Sequence, residues 1–219
     1  RQDTSQDSQT TPQKEATPLS AELHIIDGSV EISADGATWQ VAATGRTLAA
    51  GTQLRTADGR AEINLSDGSL LRLDQDTQIE INQLNDQALN VKVSKGKIYN
   101  LVSEDTQQTW KITGLDTEIT ALGTIFTVAV DPEEKIINTT ALEHQVFVEV
   151  KQPKTTQKLT LDPGQNLTVD LSLNPEESLK ETALTAEELN TDKFLQWNLD
   201  RDPRLKSAID NLDDKAPST

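Results

Sequence analysis

The chain has 219 residues, with 20 basic against 36 acidic side chains, a formal net charge of −16 and no cysteine. The lack of cysteine excludes disulfide scaffolds, thiolate zinc sites, iron–sulfur clusters and a thiol nucleophile. The acidic balance disfavours nucleic acid and anionic membrane surfaces as partners, because both carry negative charge. A chain of this length can bury a sizeable core.

The first 18 residues form a separate polar segment. They are rich in Gln, Thr, Ser and Asp, and Ala16 is their only apolar residue. Such a segment cannot bury enough apolar surface to offset the entropy of ordering, so we expect residues 1–18 to be a disordered tether. The chain starts at Arg1 and contains no methionine. We therefore expect a targeting or membrane-anchoring segment upstream of it.

Residues 19–172 alternate apolar and polar side chains in short stretches, which is typical of strands with one buried face. Asp-Gly pairs favour tight turns between them at 27–28, 35–36, 58–59 and 67–68. Strands are predicted at 60–66, 79–81, 89–93, 96–99, 109–113, 124–130, 145–150, 158–161 and 166–169. This many short strands indicate an all-β domain, either a two-layer sandwich or a short solenoid-like coil of antiparallel strands.

The stretches 124–130 and 146–150 are the most apolar of these strands. Their β-branched and aromatic residues suit a pleated surface that is packed on both sides. We expect the centre of the core to contain Phe126, Val128, Val130, Val146 and Val148.

Residues 173–219 change to a helical period and form a short C-terminal extension. Thr185 and Glu188 make a capping box that predicts a helix over 186–199, and Asp202-Pro203 begins a second, amphipathic helix. The extension could pack on the β domain or remain solvated. Alternatively it could dock on a protein partner, and the candidate partner-docking residues are then Phe194, Leu195, Trp197 and Leu199.

The sequence lacks the patterns that carry chemistry. It has two histidines, His24 and His144, without metal-ligand spacing, and no nucleophile elbow, P-loop or dinucleotide-binding motif. Asp74 and Asp76 supply only a fragment of a calcium loop. We therefore predict no enzyme activity, no cofactor and no metal site, while calcium binding stays open.

Two series of turn and apolar residues occur in order along residues 23–170. The first comprises Gly45, Leu48, Gly51, Leu54-Arg55-Thr56, Ala61-Glu62-Ile63, Leu65, Asp67-Gly68-Ser69 and Leu71-Arg72-Leu73. The second comprises Leu89, Gly96-Lys97-Ile98, Leu122-Gly123-Thr124-Ile125-Phe126-Thr127-Val128, Val146-Phe147-Val148, Leu159 and Pro163-Gly164-Gln165. Together they resemble the FecR domain, and the Gly-Thr-x-Phe-x-Val element is the most specific part.

The resemblance implies an all-β, non-catalytic domain outside the cytoplasm, in the periplasm or at the cell surface, in a membrane-anchored protein. It also implies a role in protein–protein interaction or envelope signal relay. The partner would be a protein that the sequence does not identify. The alternative is a cell-envelope glycan-binding or structural surface module, for which aromatic platforms are lacking. Glycan binding that is lost on Trp39→Ala or Trp110→Ala would support it.

Overall fold

The computed structural model describes residues 19–85, 87–106 and 108–213. In these parts of the chain, strands make up most of the regular structure and three short helices follow at the C-terminal end. The all-β fold with a helical tail predicted from the sequence is therefore confirmed. No helix within the described parts is both long and apolar enough to cross a membrane.

The strands are β1 (Ala21–Asp27), β2 (Val30–Ser33), β3 (Gln40–Val41), β4 (Arg46–Leu48), β5 (Gln53–Thr56), β6 (Arg60–Leu65), β7 (Leu70–Leu73), β8 (Gln78–Leu84), β9 (Ala88–Leu101), β10 (Thr109–Gly114), β11 (Thr117–Ala121), β12 (Ile125–Asp131), β13 (Ile136–Ala141), β14 (Val146–Gln152), β15 (Thr155–Leu161), β16 (Gln165–Asp170) and β17 (Leu179–Ala183). The helices are α1 (Ala186–Thr191), α2 (Lys193–Leu199) and α3 (Pro203–Asp213).

The strands form two sheets that share one strand. The first sheet has the order β4-β1-β6-β7-β9-β12-β13-β16-β17. The second sheet has the order β3-β2-β5-β8-β9-β10-β11-β14-β15. All of these pairs are antiparallel except β9 with β10, which is parallel.

Strand β9 passes from the second sheet to the first at Gly96. Its N-terminal part pairs with β8 and β10, and from Gly96 onward it pairs with β12 and β7. Gly96 has a φ of 87°, and a Cβ atom there would lie 2.5 Å from the Cα of Thr77. The crossing therefore requires glycine, because any side chain would be both strained and obstructed.

One apolar core fills the space between the two sheets. It contains inward-facing side chains of both layers, including the predicted core residues Phe126, Val128, Val130, Val146 and Val148. All five are buried, so this part of the prediction is confirmed. On β12 the neighbour of Phe126, Ile125, faces the opposite way and is buried in a second apolar cluster, because that side of the strand is covered too.

The second cluster lies between the outer face of the first sheet and the three helices. The sheet contributes Tyr99, Ile125 and Leu142, and the helices contribute Leu189, Phe194, Leu195 and Leu205. We call α1–α3 the helical cap. The C-terminal extension thus packs on the β domain, which is one of the arrangements expected from its amphipathic pattern.

The extension differs from its prediction in two details. Residues 179–183 form β17, which pairs with β16 and continues the first sheet. The helix predicted over 186–199 is divided at Asp192, which has an extended conformation with ψ of 97°. The Asp192 carboxylate accepts hydrogen bonds from the backbone N–H groups of Phe194 and Leu195, so it starts a new helix.

Candidate interaction surface

The four residues predicted to dock a partner lie on α2, inside or beside the second apolar cluster. Phe194 and Leu195 are only 2% and 3% exposed, whereas Trp197 and Leu199 are partly exposed at the edge of the cluster. The Phe194 and Trp197 rings stack with their centroids 6.0 Å apart. In this conformation Phe194 and Leu195 hold the helical cap on the sheet, and Trp197 and Leu199 remain within reach of solvent.

The junction of α1 and α2 is fixed to the sheet by charge. Asp192 caps α2 through one carboxylate oxygen, and its other oxygen contacts the Nζ of Lys97 on β9. Both side chains are partly buried. One aspartate therefore ends α1, begins α2 and pairs with the sheet.

A buried arginine connects α2 to the middle of the first sheet. Arg72 on β7 donates to Glu62 on β6 at 2.6 Å and to the Asn198 side-chain oxygen at 3.0 Å. Asn198 in turn donates to the Phe194 carbonyl at 2.8 Å. Because Arg72, Glu62 and Asn198 all have hydrogen-bond partners in this network, their contacts offset the cost of removing the arginine from water.

The chain's single tyrosine joins the sheet to the start of α3. Tyr99 is fully buried, and its hydroxyl donates to the carboxylate of Asp202. The other oxygen of Asp202 accepts from the Arg204 backbone N–H at 2.9 Å and so caps α3. Burial first, and then the negative charge of Asp202, raise the pKa of the Tyr99 phenol far above its ordinary value.

Arg204 in the first turn of α3 closes one end of the β domain. Its guanidinium group donates to the Val102 carbonyl at 2.9 Å, to the Gly123 carbonyl at 3.1 Å and to the Glu143 carboxylate at 2.9 Å. These acceptors follow β9, β11 and β13, respectively. One side chain thus ties three loops of the sheets to the helical cap.

Trp197 is surrounded by cationic groups. The guanidinium carbons of Arg201, Arg60 and Arg72 lie 4.2, 5.3 and 5.8 Å from centroids of its ring system. Arg60 is held in place by Asp74 at 2.7 Å. These cation–π contacts favour a fixed position for the ring at the edge of the cap.

The structure brings three potential metal ligands together, although the sequence spacing predicted no metal site. Ligand atoms of Glu104, Glu143 and His144 lie within 4.8 Å of one another. Arg204 already contacts both carboxylates, and the His144 Nδ1 donates to the Gly123 carbonyl. The guanidinium group therefore supplies the positive charge that this cluster needs.

The two tryptophans whose substitution would test glycan binding are not open aromatic surfaces. Trp110 is 0% exposed and its indole N–H donates to Asn100 inside the core, so its ring is not available to a glycan. Trp39 is half-buried, and the Arg55 guanidinium carbon lies 4.2 Å from its ring centroid. One face of that ring is thus already stacked on a cation.

Sequence reasoning missed the sheet residues that receive the helical cap, namely Arg72, Lys97 and Tyr99. The pattern 96–99 predicted a strand but not its neighbours, because partners of the outer face come from residues about one hundred positions away. The signal that was available is the adjacent pair Ile98-Tyr99, whose side chains point to opposite faces of the strand, which indicates cover on both sides.

The strands and the helical cap define a two-layer, mostly antiparallel β domain with one face covered by helices. Residues 52–147 match the model of the family described as FecR protein. Over these residues the match confirms the resemblance to the FecR domain found in the sequence. No curated protein matches the sequence.

Two crystal structures of a candidate anti-sigma factor from Parabacteroides distasonis ATCC 8503, at 1.65 and 2.50 Å resolution, have a similar fold. Their TM-scores are 0.51 and 0.50, and both are 16% identical in sequence. The similarity covers 63% and 62% of this chain and 62% and 61% of those chains. The chain thus corresponds to less than two thirds of the length of these proteins, and the likeness concerns the fold.

Proposed function

We propose that this chain is the regulatory β domain of a membrane-anchored signal-relay protein and that it acts by binding another protein. The FecR domain at residues 52–147 is the observation that carries the proposal. The fold shared with a candidate anti-sigma factor supports it, because such a factor works through protein partners. Catalysis is not part of the proposed role.

The proposed location is outside the cytoplasmic membrane, with an anchor upstream of residues 1–18, the predicted tether, which lies outside the described residues. The FecR resemblance supports this placement.

Trp197 and Leu199 are the two predicted docking residues that a partner can reach while the helical cap stays on the sheet. Both lie on α2, which also carries the exposed Lys193. Binding through Phe194 and Leu195 would require the cap to leave the sheet and would lose their burial, about 2 kcal/mol or more for each side chain.

Cross-linking in the organism's own cells tests the proposal. The full-length protein is cross-linked, purified and its partners identified by mass spectrometry, beside the variants Leu199→Ser and Lys193→Ser. We expect one stoichiometric protein partner, reduced by L199S and retained by K193S. Sedimentation with cell-wall material and no cross-linked protein would contradict the proposal and favour the glycan-binding alternative.

A deletion of residues 170–219 would test partner binding less clearly than these single substitutions. It removes β17 from the first sheet and exposes Tyr99, Ile125 and Leu142, which the helical cap covers. Loss of a partner could then result from misfolding. Single surface substitutions avoid that ambiguity.

A further inference from the structure

Each sheet ends in strands that have a neighbour on one side only. In the described parts of the chain these edge strands are β4 and β17 in the first sheet and β3 and β15 in the second. Their lengths are 3, 5, 2 and 7 residues, respectively. Strand β15 therefore offers the longest row of open backbone groups.

The hydrogen bonds of β14 show which groups of β15 are open. The Lys151 N–H donates at 2.8 Å to the carbonyl of Asp116, on the side of β11. Successive residues of a strand direct their backbone groups to opposite sides, so Val150 points toward β15, where it faces Gln157. The open N–H and C=O groups belong to the residues that alternate with Gln157: Thr156, Lys158 and Thr160.

Strand β15 lacks most features that protect edge strands from pairing. Its sequence, TTQKLTL, contains no proline, and its register with β14 is regular over all seven pairs. Its one charged residue, Lys158, is bound to Glu149 at 2.9 Å. Short length, proline, bulges and free charges are the usual protection, and β15 has only the paired lysine.

An exposed aromatic residue lies next to this edge. Phe147 on β14 is 48% exposed and is the Cα partner of Thr160 on β15. It lines a shallow groove of about 240 Å³ with Thr120, Lys158 and Thr160. A strand added at β15 would lie about 10 Å from β14, two strand spacings away. A large apolar side chain opposite Thr160 could therefore meet the Phe147 ring only by extending over the small Thr160 side chain.

The hairpin of β14 and β15 is basic in an otherwise acidic chain. Lys151, Lys154 and Lys158 are exposed there, whereas the whole chain carries a charge of −16. Glu149 pairs with Lys158 and Lys151, and Glu118 pairs with Lys151, so the three lysines exceed these two carboxylates by one positive charge. Carboxylates on an added strand would be attracted to these lysines, and a basic strand would be repelled. The local charge therefore selects an acidic segment.

We propose that β15 is the docking strand for an extended acidic segment of a protein partner, which adds to the second sheet through Thr156, Lys158 and Thr160. Opposite Thr160 the segment carries an apolar residue that contacts Phe147, and opposite Lys158 it carries a carboxylate. The inference rests on the proposed function, since it names a second contact of the partner, on the second sheet, in addition to the contact at Trp197 and Leu199 on α2. Backbone hydrogen bonds supply affinity and the two side-chain positions supply specificity.

A peptide titration of the intact chain tests the docking strand directly. The probe is the capped peptide Thr-Val-Val-Glu-Thr-Glu-Thr, and its control carries Lys in place of both Glu. We expect the acidic peptide to shift the amide NMR signals of Thr156, Lys158 and Thr160, and the basic peptide to bind at least about tenfold more weakly. Absence of these shifts at millimolar peptide would overturn the proposal.

Two variants at one position separate backbone pairing from side-chain contact. Lys158→Pro removes an open N–H without breaking a bond to β14, whereas Lys158→Ala keeps that N–H. We expect K158P to weaken peptide binding about tenfold beyond K158A, the equivalent of one hydrogen bond. Equal effects of the two variants would show contact through the side chain and would contradict strand addition.

The cross-linked partner gives a second readout that separates the two proposals. A partner that is captured by K158A and lost from K158P supports docking on β15. A partner captured equally by both leaves the proposed function intact and overturns this inference. Capture of no protein contradicts the proposed function, and the peptide titration alone then decides on the docking strand.

Discussion

Tyr99 is the residue whose ionisation is most strongly affected by the fold. Its phenol is buried, and it donates to a carboxylate that also caps α3. Burial disfavours the charged phenolate, and ionisation would also place a second negative charge beside Asp202, which is why the pKa of Tyr99 is raised. The native protein thus keeps this proton at pH values where the unfolded chain loses it.

The free energy of unfolding is accordingly expected to fall as pH rises above about 10, the pKa of an unperturbed tyrosine. Below that pH the contribution of Tyr99 is fully present. Because the chain has one tyrosine, tyrosinate absorbance reports on this residue alone and should appear only together with loss of the circular dichroism of the fold. Absorbance that titrates near pH 10 in the folded protein would contradict the buried contact.

The variant Tyr99→Phe serves as the control for this pH dependence. The variant should lack the part of the decrease in the free energy of unfolding at alkaline pH that is caused by ionisation of Tyr99. It also leaves the carboxylate of Asp202 without its buried donor, so we expect a loss of about 1–3 kcal/mol at neutral pH, measured by urea unfolding. A variant as stable as the wild type at pH 7 would show that Asp202 does not depend on the phenol.

Arg204 cannot be replaced by lysine without loss. Its guanidinium fork reaches Val102, Gly123 and Glu143 at once, whereas an ammonium group is a single point of charge. We expect Arg204→Lys to lower the free energy of unfolding by about 2–4 kcal/mol. The control is Arg201→Lys, at an exposed position on the same cap, which should cost less than about 1 kcal/mol. Equal costs would contradict the role of Arg204 in closing the cap.

At the scale of elements, the crossing of β9 between the sheets gives the sharpest test. Gly96 and Gly51 have nearly the same positive φ, 87° and 86°, but a Cβ atom at Gly51 would meet no atom within 4 Å. We expect Gly51→Ala to lower the free energy of unfolding by about 1–2 kcal/mol, because alanine is disfavoured at a positive φ. Gly96→Ala adds the clash with Thr77 and should cost at least about 3 kcal/mol. Similar costs, measured by urea unfolding, would show that β9 tolerates a side chain at the crossing.

The sequence predicted most strands because each carries its own alternation. Ala61, Ile63 and Leu65 define β6 without reference to any other part of the chain. Strand β17, with the sequence LKETA, has no such alternation and exists because β16 pairs with it. The division of the predicted helix at Asp192 is likewise set by Lys97 on the sheet, which local sequence cannot reveal.

The candidate site was less predictable than the strands. The sequence predicted an apolar helical stripe of Phe194, Leu195, Trp197 and Leu199. It did not predict the surface that the stripe contacts, because a helix that packs on a sheet and a helix that binds a partner have the same apolar pattern. The edge strand β15 shows the same limit. Residues 158–161 predicted a strand, and only the complete pairing of both sheets shows that one side of it stays open.

At the scale of the whole molecule, the net charge of −16 acts against compactness. Salt screens charges that are more than about 8 Å apart at physiological ionic strength, while the partly buried pairs of the cap are screened much less. We therefore expect the melting temperature to rise when sodium chloride increases from about 10 mM to about 150 mM. Calorimetry at constant pH measures this, with sucrose as an uncharged comparison. A fall in melting temperature would show that screening of ion pairs outweighs screening of self-repulsion.

Both halves of the chain complete their sheets on β9. Strands β1–β8 supply one side of each layer, β10–β17 supply the other, and β7, β8, β10 and β12 all pair with β9. During synthesis from the N-terminus, β7 and β8 each keep one side open until β9 has left the ribosome, and such open edges are prone to aggregation. The topology therefore implies an order of pairing during synthesis. Strands β1–β8 cannot complete their sheets before β9 is present, whereas β10 and β12 can pair with β9 as soon as they are made.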